Sequence, residues 1–320
     1  MGKYVLRRLL MTVLVVLIAS IVVFTLVYMV PGDPVKIMMP PEATVAELEA
    51  KKHELGLDRP FLVQLGSFLY NAYLRFDLGN SWIRGTPVMD GLMERLPSTF
   101  QLGVLAILIS SLVAIPLGIT AAVHQNGWQD RLGMVFGMMC VSVPDFWLAL
   151  NMVVLFAVKL EWLPPFGIGG PEYLVMPVIA CAVRSVGSLA RQTRSSMLEV
   201  IRSDYVTTAR AKGLKERDVI YKHMLPNALI PIITVIGGNF ATVIAGTVVI
   251  EQIFSRPGVG TYLTSAITYR DFPIIRGCVI VLAIFTSVMM LLVDLAYAAV
   301  DPRIKAQYAG QSKRRSKENG

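Results

Sequence analysis

The chain reads as an all-α membrane protein with six transmembrane helices, and three observations predict that class. Apolar residues make up 54% of the sequence against 16% charged, and the mean hydropathy is +0.59. A soluble domain of 320 residues needs far more polar surface, so the excess must face lipid. Several runs reach the roughly 20 residues that cross a hydrocarbon core of about 30 Å. They fall at about residues 9–30, 99–123, 132–160, 173–190, 229–253 and 274–300. Six spans put both termini on one side.

The first span follows Lys3, Arg7 and Arg8, as the apolar part of a signal peptide would. Its run is too long for that, and its exit, Val30-Pro31-Gly32-Asp33-Pro34, has no small-x-small cleavage site. Residues 1–30 therefore read as a short tail and an uncleaved first helix. The segment 31–98 follows as a cap outside the spans. Its Pro31-Gly32-Asp33-Pro34 cluster stops the first helix. Residues 45–55 are helix-prone, and Gly56-Leu57-Asp58-Arg59-Pro60 breaks them. The stretch 61–76, with Phe61, Phe68, Tyr70, Tyr73 and Phe76, reads as an amphipathic helix along the membrane surface. Asp77-Leu78-Gly79-Asn80-Ser81-Trp82 then turns the chain back. Such a cap is too short and too apolar for an independent enzyme domain. The transmembrane core occupies 99–300, with a polar loop at 194–228, and a basic tail closes the chain at 301–320.

Three short basic segments set the orientation. Lys3, Arg7 and Arg8 precede the first span; Arg194, Arg202, Arg210, Lys212, Lys215, Arg217 and Lys222 separate the fourth and fifth; Arg303, Lys305, Lys313, Arg314, Arg315 and Lys317 follow the sixth. All fall on one side of a six-span arrangement, and the positive-inside rule makes that side cytoplasmic, with both termini there. The cap, with Glu42, Glu47, Glu49, Glu54 and Asp58, lies outside. Topology thus explains the net charge of +8, and no nucleic-acid partner is needed.

Chemistry is sparse. His53, His124 and His223 lie outside the expected spans, and His53-Glu54 opens an HExxH pattern that fails at Leu57. There is no GxSxG elbow and no GxxxxGK[ST] loop, so neither a serine nucleophile nor an ATP site of that kind is present. Cys140, Cys181 and Cys278 sit within spans as packing residues, without metal or disulfide spacing. The chain reads as no enzyme and as binding no cofactor. Ionisable groups within spans are functional candidates because lipid makes them costly. Asp145, after Ser142-Val143-Pro144 and before Phe146-Trp147, is expected to line a cavity or to cap a broken helix. Arg184 and Glu251 either join such a path or snorkel and pair at an interface, and Asp294 pairs near a helix end. Gly133-x-x-x-Gly137 and Gly237-Gly238 permit close helix packing.

Residues 204–226 carry the most information. A connection between two spans needs neither this length nor this pattern. Ser203 or Asp204 can cap a helix that continues to Lys212, and Gly213 supplies its left-handed end. Lys215 to His223 form a second short helix, and Pro226 starts the next span after a bend. Ala209, Ala211 and Gly213 leave a face of little bulk, where another protein can approach closely.

Gly213, an interval, then Leu225-Pro226 resembles the cytoplasmic EAA loop of permease subunits of ATP-binding-cassette importers. The run Thr208 to Leu214 is similar to the peptide/nickel branch of that family. Thr207-Thr208-Ala209 stands where the general pattern has Glu-Ala-Ala, and His223 stands at an isoleucine position. Further motifs agree in order: Pro31-Gly32-Asp33-Pro34, Leu55-Gly56-Leu57-Asp58-x-Pro60, Asp77-Leu78-Gly79-x-Ser81, Phe254-Ser255-x-Pro257-Gly258-x-Gly260 and Asp301-Pro302-Arg303.

The resemblance implies the type I importer permease fold in a bacterial or archaeal cytoplasmic membrane. It implies a second, homologous permease subunit, two ATPase subunits inside that carry ATP and Mg, and a substrate-binding protein outside. Ala209, Arg210, Ala211, Lys212, Gly213, Leu214, Lys215, Arg217, Leu225 and Pro226 are then expected to dock the ATPase, the bases pairing with acids at its rim. Asp145, Phe146, Trp147 and Arg184 are the candidates for the translocation path. Asp33, Asp58, Asp77, Arg256 and Gly258 are the candidates for contact with the binding protein. Peptides are the first expectation for cargo; nickel chelates, glutathione or another small solute share the architecture. An autonomous secondary transporter or channel is the contrasting class, and it would leave residues 204–226 unexplained.

Overall fold

The structure, a computed structural model, describes residues 2–300. The basic tail expected at 301–320, with Asp301-Pro302-Arg303, and the side chain of Asp294 lie outside the described residues. The described chain is helical apart from turns and one isolated antiparallel bridge between Asn80 and Pro87.

Helix α1 (Gly2–Met29) is the first span, and the cap is built from α2 (Pro34–Met38), α3 (Val45–Glu54) and α4 (Phe61–Leu74). Asp33 caps α2 by accepting from the Val35 N–H at 3.1 Å. Thr44 and Glu47 close a reciprocal capping box on α3. Helix α4 leans on α1, where Phe68 stacks on Phe24 at 5.3 Å and the Tyr73 hydroxyl meets Ser20 Oγ at 2.5 Å.

Helix α5 (Val88–Val123) starts well before the expected residue 99. Its 36 residues extend about 54 Å, so its first turns belong to the cap. The span expected at 132–160 is broken at Pro144, the place where the sequence allowed a broken helix. Helix α6 (Trp128–Ser142) and α7 (Asp145–Met152), the latter continued by a π-helical stretch Val153–Lys159, meet at 96°. Pro144 is the cause. It lacks an N–H and pushes Val143 out of the helical region, where Val143 is found with ψ 126.

Helix α8 (Glu172–Ile201) is the central element and packs on α5, α6 and α7. It runs eleven residues past the expected end at 190 (201 − 190). Arg194, assigned to the loop from sequence, lies on this helix and clamps Asp130 of α6, with Nε–Oδ1 at 2.5 Å and Nη2–Oδ2 at 2.7 Å. The connection between spans is correspondingly shorter than 194–228. It holds α9 (Asp204–Ala211), then α10 (Glu216–Asp218), which runs through a π-helical stretch Val219–Met224 straight into α11 (Leu225–Ile253). The second short helix expected from Lys215 to His223 is therefore not separate, and no bend sets it off at Pro226. Glu216–Ile253 is one helix of 38 residues, and His223 lies within it. The Leu225 N–H bonds to Ile220 O, five residues back, so Pro226 falls where the ladder returns to α spacing and its missing N–H costs little.

The connection between the expected spans 229–253 and 274–300 contains a helix of its own, α12 (Val259–Tyr269), before the last span, α13 (Phe272–Val300). Asp271 ties this corner to the cap, accepting from Ser81 Oγ at 2.5 Å and from the Trp82 N–H at 3.1 Å. Cys140, Cys181 and Cys278 are free thiols packed in the interior.

Candidate functional site

Residues 202–216 form an exposed elbow on two buried feet. Val206 and Ala209, three residues apart on one face of α9, pack with Val219 and Met224 into the core shared by α5, α8 and α11. Ala209 is 6% exposed, so it anchors the elbow and does not contribute to the open small-residue face. From Arg210 to Arg217 every residue is exposed. Gly213 has φ +74, and a Cβ built there meets nothing within 4 Å. The glycine is thus required by backbone conformation and not by crowding within this chain. Ser203 holds the N-cap position of α9 but makes no side-chain cap.

Arg210 is committed within the elbow, its Nη2 and Nε donating to Glu216 at 2.6 Å and 3.1 Å. That hydrogen-bonded pair raises the Arg210 guanidinium above its ordinary value and ties α9 to α10 across Gly213. Lys212, Lys215 and Arg217 extend from the exposed rim. Leu225 is half-buried, and Pro226 is exposed at the elbow end of α11.

The four path candidates separate into two pairs. Arg184 Nε donates to Asp145 Oδ1 at 3.2 Å, joining α8 to the first residue of α7 beyond the break. The carboxylate also lies beside Gly246 of α11. Phe146 and Trp147 instead line an apolar groove of about 520 Å³ with Val135, Met138, Met139 and Pro144. A second polar link, missed from sequence, lies one turn along α8: the Asn239 amide donates to Ser188 Oγ at 3.0 Å, bridging α8 and α11. The spacing of Arg184, Ser188 and Gln192 every fourth residue was the available signal.

At the end of the bundle opposite the elbow, Glu251 is fully buried. Its Oε1 accepts from Thr99 Oγ1 at 2.6 Å, and its Oε2 accepts from the Gly260 and Thr261 N–H groups at 2.8 and 3.2 Å. Thr99 Oγ1 accepts in turn from the Val259 N–H at 2.9 Å. The carboxylate therefore pins the start of α12 to α5 and α11, and it does not snorkel. Gly258 is buried against it, since a Cβ there would come within 2.1 Å of Glu251 Cδ. Arg256 is 5% exposed, and burial pulls its guanidinium below the ordinary value, against the opposing charge of Glu251. Both residues face inward, which corrects their expected place on a docking surface. Asp58 and Asp77 are exposed on the cap, and Asp33 is half-buried there. Asp33 pairs with Lys52 at 2.6 Å, and Asp58 pairs with His53 at 2.7 Å. Asp77 accepts from the Gly79 N–H at 2.8 Å. Arg270 donates to Pro31 O at 2.9 Å and presses on Gly32, fastening the end of α1 to the α12–α13 corner.

A helical membrane bundle with a broken span, polar pairs held between its helices and an exposed elbow at one end is the build of a solute permease subunit. The chain belongs to the family of binding-protein-dependent transport system inner membrane components, whose main segment matches residues 114–306 and whose N-terminal segment matches residues 1–103. It is therefore an inner-membrane permease of an ABC importer, a system that also comprises an ATPase and a substrate-binding protein. A peptide transport system permease protein of Brucella abortus (strain 2308) is 40% identical over 95% of this chain and 99% of its own length. A dipeptide transport system permease protein of Alkalihalophilus pseudofirmus is 36% identical over 95% of this chain and its full length. A glutathione transport system permease protein of Salmonella typhimurium is 35% identical over 95% of this chain and 99% of its own. The inward-facing MetNI methionine ABC transporter matches in fold with a TM-score of 0.57 at 18% identity, over 67% of this chain and 97% of that chain. The fold is thus that of the type I importer permeases.

Proposed function

We propose that this chain carries peptides across the membrane as one of two homologous permease subunits. Two ATPase subunits dock on the elbow, and the substrate-binding protein docks on the cap. The observation that carries the reading is the elbow: its rim from Arg210 to Arg217 is exposed, while Val206, Ala209, Val219 and Met224 root it in the core of α5, α8 and α11. A push on the rim is passed to the spanning helices because close-packed interiors do not absorb displacement. Arg184–Asp145 and Ser188–Asn239 stand along the same helices as polar groups of the path. ATP and Mg act on the ATPase subunits.

The cargo assignment rests on relatives named for peptide and dipeptide transport. Glutathione, itself a small peptide, is the second reading, supported by the 35% identical relatives named for it. The solute that co-purifies with the partner binding protein decides between them. For coupling, Gly213→Leu in the reconstituted importer should leave membrane insertion intact and abolish both transport and substrate-stimulated ATP hydrolysis. Normal transport by that variant would falsify the docking role. For orientation, both termini and the elbow face the cytoplasm. Lys212→Cys should react with an impermeant maleimide only in opened cells; labelling in intact cells would reverse the topology.

A further inference from the structure

Arg276 of α13 is a cation that the proposed function does not use. Its guanidinium lies over three rings, 4.6 Å from the centroid of Phe24, 5.5 Å from Phe68 and 5.9 Å from Trp82. Nε is buried with no hydrogen-bond partner, and no carboxylate among the described residues pairs with the group. Ring faces attract the charge but satisfy none of its five N–H donors in the guanidinium plane. Arg276 as a whole is half-buried, so the rest of its guanidinium reaches the adjoining space, and an acceptor there would offset the cost of the unpaired charge.

Arg276 lines two cavities, one of about 240 Å³ and one of about 330 Å³. Arg59 lines the first and Lys52 the second. Of the acids in the linings, Asp33 is engaged through both oxygens, with Lys52 and the Val35 N–H, and Asp77 Oδ1 accepts from the Gly79 N–H; neither pairs with Arg276. Arg276 lies four residues into α13, and Phe24 lies five residues before the end of α1. At about 1.5 Å per residue both sit one turn or so inside the helix ends, where a spanning helix approaches the membrane interface. Helix α4 presents exposed Leu62, Val63, Tyr70 and Leu74 beside them.

We propose that Arg276, with Arg59 at the rim, forms a site for a phosphate group, carried by the headgroup of an anionic phospholipid or supplied as free phosphate. The planar fork of the guanidinium suits two phosphate oxygens, and the aromatic cage fixes its orientation. The site couples α1, α4 and α13 to the membrane's lipid composition or to the phosphate outside.

The test uses the full importer complex in phosphatidylcholine nanodiscs, with or without phosphatidylglycerol, and in phosphatidylcholine alone titrated with inorganic phosphate against chloride. Lipid retention in native mass spectra and the thermal midpoint are read for wild type, Arg276→Lys, Arg276→Gln and Arg59→Gln. Phosphatidylglycerol should be retained about tenfold more strongly by wild type than by Arg276→Gln, with Arg276→Lys between them. Saturable stabilisation by inorganic phosphate, without lipid preference, would assign the free anion and still support the site. Arg59 is exposed, so Arg59→Gln keeps the fold even where Arg276→Gln does not, and it should weaken the same response. Wild type indifferent to both phosphate sources, or variants that respond as wild type does, would overturn the proposal. A response seen only on adding the substrate-binding protein would overturn it too, replacing phosphate by a protein carboxylate.

Discussion

Removing the Glu251 carboxylate should free α12 from the bundle without unfolding the spans. Three donors converge on it, and two of them, the Gly260 and Thr261 N–H groups, belong to the first turn of α12. In Glu251→Ala the Thr99 hydroxyl can rotate, but the two backbone donors lose their acceptor. An unsatisfied buried donor costs about 1–3 kcal/mol, and Thr261 is only half-buried, so the pair loses about 2–4 kcal/mol. Arg256, buried nearby, also loses its countercharge, which brings the total to about 3–5 kcal/mol. Glu251→Gln keeps one acceptor oxygen for the two N–H groups and should cost about 1–2 kcal/mol.

Hydrogen exchange reads these differences as opening equilibria at about 1.4 kcal/mol per tenfold. The informative amides are those of α12 beyond its first turn, which stay bonded within the helix and exchange only when it detaches. Glu251→Ala should raise their exchange by about a hundredfold or more, and Glu251→Gln by about five- to thirtyfold. Thr99→Val, which strands the Val259 N–H, should fall between them and add little to Glu251→Ala, because the two residues share one network. Exchange in Glu251→Ala within about threefold of wild type, or full additivity of the two substitutions, would refute the latch.

Gly187→Ala places a Cβ 2.2 Å from Gly137 O and 2.8 Å from Val141 Cγ2. Parting α6 from α8 should cost about 1–3 kcal/mol in thermal unfolding, whereas Gly238→Ala, which meets nothing within 4 Å, should be neutral or stabilising. Asp130→Ala leaves the half-buried Arg194 without its bidentate partner, an expected loss of about 3 kcal/mol, and proteolysis at the α5–α6 turn should quicken. The Asp33 carboxyl is held below its ordinary range: burial opposes ionisation, but the bonds to Lys52 and Val35 outweigh it. Its stabilisation of the cap is therefore fully present above about pH 4 and lost as pH falls through its lowered value. Exchange of the Val35 amide should rise in that window, and Asp33→Asn should abolish the dependence.

The spans were legible because lipid enforces apolar runs, and Gly213 was legible because its left-handed conformation selects glycine. The last third of α8 was not. Arg191, Gln192 and Arg194 end the apolar run, yet the helix continues because α5 and α6 cover it and Asp130 neutralises Arg194. Pro144 announced a break, but its 96° angle is set by which helices the two halves find. Ala209 was read as exposed because smallness is visible in sequence, while the roll of α9 about its axis is decided by Val206 seating in the core. Helix α12 was hidden behind Pro257-Gly258, which read as a loop; the buried Glu251 that receives it makes sense only once α5, α11 and α12 are in place.

The unbroken helix from Glu216 to Ile253 has a mechanical consequence. Its 38 residues span about 57 Å, with the Arg210–Glu216 clasp at one end and Glu251 at the other. A rigid beam of that length turns a small tilt into opposite displacements of its ends, about 5 Å each for about 10° around its centre. Load applied at the elbow and the seat of α12 on the far side of the membrane are thus two ends of one beam.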